Sequence, residues 1–233
     1  GIAIALKDWF MSIFGWMVIV TSGSIQVGDR IKVHRNGVQA VGDVLDISLF
    51  KITIREDITY TSYTVNRRTG RIFFIPNNYI FSEMIANYTH SGLRTVWDGI
   101  DITITFDSNH KKAQKISRDI LKHYSKGYTD ITRKQLSKMR SKYQLRATGV
   151  EPRVFTFVEP YGIVISGWYL TNSYAALQLR STMSPEILNA FMAEDDIHIA
   201  YPTQQINMNT TDNHYGPSRT PRPKPEELED IEG

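Results

Sequence analysis

The chain has 233 residues, 41% hydrophobic and 22% charged, a balance that suits two or three small domains with real cores and excludes disorder over most of the length. It contains no cysteine, which rules out disulfides, thiolate metal centres and cysteine nucleophiles. The net charge is +3, and Glu226, Glu227, Glu229, Asp230 and Glu232 near the C-terminus mask a more basic body.

Residues 1–20 carry only Lys7 and Asp8 as charges. As a helix they would reach roughly 30 Å, about the thickness of a hydrocarbon core. The fully uncharged part, Trp9 to Val20, also has the length of a buried or interfacial helix, so both readings stand. A basic n-region and a small-residue cleavage site are absent, which argues against a signal peptide. Opening at Gly1 inside an apolar segment, the chain reads as a piece of something longer, with further spans expected upstream.

From Ile25 to Val65 β-branched and polar residues alternate, as in Ile31-Lys32-Val33 and Ile52-Thr53-Ile54-Arg55, the period-two pattern of strands with one wet face. Asn66 to Gly70 reads as a hairpin turn and Arg71 to Ile75 as the returning strand. Pro76 ends that strand, and Asn77-Asn78 is expected to cap the next element.

Beyond Leu93, alternation in Ile100, Ile102, Ile104 and Phe106 predicts a strand. Helical spacing predicts helices over 110–124 and 132–144. A hairpin is expected about Glu159-Pro160-Tyr161-Gly162, then a helix over roughly 175–193 and a short strand near Ile197. Strand, helix, strands, helix, strand suggests an α+β sandwich with helices on one sheet face. Asn, Thr, Pro and Glu dominate from Gln205 onward, and a disordered tail is expected.

Candidates for chemistry are weak. The six histidines form no pair at helical metal-ligand spacing with carboxylate support, so neither metal nor cofactor is expected. Glu194, Asp195 and Asp196 read as a solvated helix end rather than an acid/base group. No phosphate loop or hydrolase nucleophile motif is present, so the chain does not read as an enzyme. The run Arg133, Lys134, Lys138, Arg140, Lys142 and Arg146 is the most nucleic-acid-like feature, although a solvated helix face explains it more simply.

Several motifs in fixed order carry a resemblance: an apolar helix before Gly28-Asp29, then Ile75-Pro76-Asn77, then Ile85-Ala86-Asn87-Tyr88, and Ala200-Tyr201-Pro202-Thr203 near the end. In these the chain resembles the small-conductance mechanosensitive channel family. The resemblance implies an α+β multidomain membrane protein: a pore-lining third transmembrane helix over 1–24, an Sm-like antiparallel β-barrel domain over 25–90, a C-terminal α/β domain of α+β sandwich type over 91–204, and an acidic tail over 205–233.

It also implies a homo-heptamer in a bacterial inner membrane, with residues 25–233 cytoplasmic, the lipid bilayer and permeant ions as partners, and no nucleic acid. Gly1, Ala3 and Ala5 would give small packing surfaces, with Gly15 a further packing position, and Ile4 falls where the family has a constricting apolar residue. Lys7-Asp8 departs from the family's best-known pattern, and Trp16 takes the place of its second glycine. Asp8 either forms a ring of carboxylates facing the axis or pairs with Lys7 of a neighbour; the pairing is favoured, because adjacent opposite charges in apolar surroundings neutralise one another. The stretch Glu56 to Arg68 lengthens a hairpin relative to the family. The leading expectation is a tension-gated channel; the alternative is a soluble ring-forming Sm-like module binding nucleic acid or another ligand.

Overall fold

The computed structural model describes residues 2–59, 68–140 and 149–201, with side chains from Leu6 onward. Helix α1 (Ile2–Ser22) is followed by β1 (Arg30–Arg35), β2 (Val38–Ile47), β3 (Lys51–Glu56), β4 (Ile72–Pro76), the one-turn helix α2 (Tyr79–Ser82) and β5 (Met84–Asn87). The second half comprises β6 (Thr95–Ile104), α3 (His110–Met139), β7 (Arg153–Glu159), β8 (Gly162–Asn172) and α4 (Ala176–Met192).

The first five strands form one antiparallel sheet in the order β4-β3-β2-β1-β5. Asn36 and Gly37 close the β1–β2 hairpin, both at positive φ (48° and 80°), as a two-residue connection between twisted strands requires. Alternation puts Ile52 and Ile54 on one face, where they meet Ile31, Val33, Val44 and Ile75 in a core completed by Ile19 of α1. Of the expected 66–70 turn, Asn66 and Arg67 lie outside the described residues, while Gly70 has φ 84°. The base of this extension is tied by Arg71, which donates to both carboxylate oxygens of Glu56 at 2.8 and 2.7 Å.

The second sheet, β6-β8-β7, is antiparallel and has α3 and α4 on one face. Its core gathers Ile100, Ile104, Leu121, Ile165, Tyr169 and Phe191. The helices expected separately at 110–124 and 132–144 are one 30-residue helix, α3; Ser125, Thr129 and Thr132 continue the buried stripe of Ala113, Ser117 and Leu121. Helical period survives there in small polar residues, so an apolar count misses it. Residues 141–144, the end of the expected second helix, lie outside the described residues. The strand expected near Ile197 is a single bridge, Ile199 to Ile104. Phe106 falls beyond the end of β6 and is exposed.

Among the described residues no helix is long and apolar enough to cross a membrane. The expected tail, 205–233, lies outside them.

Candidate functional site: the joint between α1 and the β-module

One face of α1 is spent on the β-module. Ser12, Gly15 and Ile19 are buried at helical spacing, and burial of Ile19 in the β-core is worth about 2 kcal/mol. At Gly15 the helix backbone lies against Asn77, where a Cβ would stand 2.3 Å from the Asn77 carbonyl oxygen. Nearer the start of α1, Trp9 stacks on Phe50 of the β2–β3 turn, ring centroids 5.0 Å apart.

Asn77 holds that turn. Its main-chain N–H donates to Phe50 O at 3.1 Å, and its Nδ2 donates to Ser48 O and Leu49 O at 2.8 and 2.9 Å. The capping expected of Asn77-Asn78 is therefore corrected: Asn78 occupies the position before α2 without a side-chain cap bond, while Asn77 is turned inward. Carbonyls of a buried turn need donors, and a carboxamide supplies two. The Oδ1 atoms of Asn77 and Asn78 are buried without a hydrogen-bond partner among the described residues.

Where α1 ends, Gly23 takes φ 63° and its N–H closes on Ile19 O at 3.0 Å, a left-handed helix stop. The chain then passes through a web centred on Asp29. Its carboxylate accepts from Gln26 N–H at 2.8 Å, Asn87 Nδ2 at 2.7 Å and Thr89 Oγ1 at 2.7 Å. The Gly28-Asp29 and Asn87 motifs, far apart in sequence, are thus two sides of one contact.

Next along the chain, Arg30 ties the β-module to the second half. It forms a bidentate pair with Asp43 at 2.8 and 3.0 Å, meets Asp57 at 2.6 Å, donates to Ser173 O at 2.8 Å and lies 4.5 Å from the Tyr174 ring centre. Burial works against its charge, but the Asp43 hydrogen bond and the nearby carboxylates outweigh burial and push its pKa further above the ordinary value. Residue reading missed this role. The available signal was a charged residue followed directly by Ile31 at the start of a strand, both buried, which breaks the alternation and demands carboxylate partners.

Other predicted site residues are dispersed. Asp8 and Lys7 are exposed on α1; the side chains of Gly1, Ala3, Ile4 and Ala5 lie outside the described residues. Arg133, Lys134, Lys138 and Arg140 are solvent-facing near the end of α3, and Lys142 lies outside the described residues. Arg133 is already engaged by Asp130 at 2.9 Å and Glu151 at 2.6 Å. Of the acidic group, Glu194 and Asp196 are bound to Lys112. No group of three potential metal ligands occurs among the described residues.

This joint is built from the segment that also matches a family: residues 8–90 match the model of the mechanosensitive ion channel β-domain. The family resemblance rests on this segment. The likeness extends further in solved structures. Helicobacter pylori MscS in its closed state superposes with a TM-score of 0.57 at 16% identity, over 88% of this chain and 67% of that one. Arabidopsis thaliana MSL1 superposes at 0.53 and 15% identity, over 85% and 61% respectively. At such identities the likeness is one of fold, and the chain spans about two thirds of these channels or less. No curated protein sequence matches significantly. The family match over residues 8–90 and these superpositions are all to mechanosensitive channels.

Proposed function

We propose that this chain is the pore-helix and cytoplasmic portion of an ion channel opened by membrane tension, which releases ions and small solutes on hypo-osmotic shock. The observation that carries the reading is the two-sidedness of α1. One side is fixed through Gly15 and Ile19 to the segment that matches the mechanosensitive-channel β-domain; on the other Phe10, Phe14, Met17 and Val20 are exposed. An apolar surface of that kind is costly in water and is covered, in this reading, by lipid and by copies of the same helix.

Residues 1–24 then line a pore in a bacterial inner membrane, within a homo-heptamer. The β-module over 25–90 and the α+β domain over 91–204 form its cytoplasmic base, ahead of an acidic tail over 205–233. Gly1, Ala3 and Ala5 let neighbouring helices approach closely. A ring of Ile4 side chains narrows the path until it dewets, and an ion entering it must shed water without compensation until tension widens the ring. Lys7 and Asp8 pair between neighbours and set the assembly. The basic end of α3 contributes a field that enriches anions near the base. No covalent step is involved.

Recording from the full-length protein in a membrane patch under graded suction tests the proposal. Stepwise currents rising with suction are expected; correctly inserted protein that stays silent at the lytic limit overturns it.

A further inference from the structure

Strand β7 bonds to β8 and to no other described strand. The two-residue connection between Glu159 and Gly162 makes that pair a hydrogen-bonded one. Bonded pairs then alternate through Phe157, Phe155 and Arg153, which leaves the N–H and C=O groups of Val154, Thr156 and Val158 directed away from the sheet. Consistent with this, Val154 O accepts a bond from Gln114 Nε2 at 2.9 Å, using one of its two lone pairs. Phe155 and Phe157 project from the face opposite the helices, their rings stacked 6.3 Å apart and 43% and 51% exposed. An edge of this kind, with no proline and no charge between its ends, is one that natural sheets cover.

The strand also reads the same from both ends. Val154-Phe155-Thr156-Phe157-Val158 is a palindrome, flanked by Arg153 and Glu159. Neither flanking charge has an ion-pair partner among the described residues; Arg153 reaches Gly149 O at 3.3 Å and lies 5.9 Å from the Trp97 ring centre. Laid antiparallel on a second copy with Thr156 on the two-fold axis, Phe155 faces Phe157, Val154 faces Val158, and Arg153 faces Glu159. The bonded positions in that register are those whose main-chain groups point outward. Sequence, backbone direction and charge therefore select the same register.

We propose that β7 pairs with β7 of a second copy of this chain, joining two three-stranded sheets into one continuous sheet. A closed ring offers only its own rotation axis, so a two-fold contact joins subunits of separate rings. On the channel reading this links neighbouring assemblies side by side; the pairing itself does not depend on that reading.

The chain has no cysteine, so Thr156→Cys introduces the single thiol of these 233 residues, and any cysteine elsewhere in the full-length protein is replaced by serine. In the proposed register the two Thr156 α-carbons lie about 5.5 Å apart, within disulfide reach. Mild oxidation should give covalent dimers with Thr156→Cys and none with Val38→Cys, an exposed position on the other sheet. Added singly, Arg153→Glu or Glu159→Arg should lower the yield about tenfold by placing like charges opposite each other; the two together should restore it. Absence of the Thr156→Cys dimer, or failure of the double reversal to rescue it, overturns the pairing whether or not the protein conducts ions.

Discussion

The α-carbon of Gly15 rests on the main chain of Asn77, so that a methyl group there would lie 2.3 Å from its carbonyl oxygen and 2.6 Å from its carbonyl carbon. Glycine inside a helix costs about 1 kcal/mol relative to alanine, and here that cost permits the approach. Gly15→Ala should therefore destabilise the protein by about 1–3 kcal/mol despite its better helix propensity, because backbone cannot yield as a flexible side chain can. A lowered urea midpoint with an unchanged slope is the expected reading. A raised midpoint would show that α1 leaves Asn77 without cost. On the proposed function, the same substitution in the full-length protein should shift the tension threshold, since it alters how the helix is seated.

Arg30 is the second point at which a small change should have a large effect. Arg30→Met removes the cation between Asp43 and Asp57 and leaves two carboxylates facing each other beside the Ser173 carbonyl. A loss of about 1–3 kcal/mol is expected, because Asp43 and Asp57 keep part of their solvation while the lost hydrogen bonds to a buried cation are not replaced. Arg30→Lys should recover only part of it, because an ammonium cannot make the bidentate contact to Asp43 while reaching Asp57 and Ser173. Proteolysis should then cut between the β-module and β6 earlier in Arg30→Met than in Arg30→Lys. Equal resistance in all three proteins would remove Arg30 from the connection.

The start of α3 should respond to acid. The Asp196 carboxylate accepts from Lys112 Nζ and Asn109 Nδ2, both at 2.9 Å, and these bonds hold its pKa below the ordinary 3.8. A carboxylate whose folded pKa is depressed contributes stability above its unfolded value and loses it as pH falls through the folded one. Protection of the first turns of α3 in hydrogen exchange should therefore be constant near neutrality and fall on acidification below about pH 4. Asp196→Asn should flatten that part of the profile. An unchanged acid profile in the variant would assign the effect to other carboxylates.

How much of this structure was legible in the sequence depends on how local each determinant is. Strands announce themselves through alternation, as Ile52 and Ile54 do, and the 159–162 hairpin through its Pro-Tyr-Gly run; both signals act within a few residues. Asn77 was visible as part of a motif, but its inward turn depends on carbonyls at Ser48 and Leu49, nearly thirty positions earlier. Arg30 depends on Ser173, 143 positions away, and periodicity carries no trace of such a partner. Helix α3 was divided because Ser125, Thr129 and Thr132 face the sheet while scoring as polar; Thr132 pairs with Thr95 at 2.5 Å, which satisfies the hydroxyl that would otherwise forbid burial.

The stack of Trp9 on Phe50 ties the part of α1 ahead of Gly15 to the β2–β3 turn. An aromatic pair of this geometry is worth about 0.5–1.5 kcal/mol beyond the area it buries. Trp9→Ala and Phe50→Ala should each destabilise the protein, and the double variant should lose less than their sum by about that amount. On the proposed function, the same cycle can be read in membrane patches of the full-length protein. If the stack persists while the pore opens, both single variants leave the threshold where it was and change stability only. If opening separates α1 from the β2–β3 turn, each variant lowers the threshold and the double lowers it no further than the larger single effect. We expect the second outcome, because Trp9 is 55% exposed and can leave Phe50 without opening a cavity in either core.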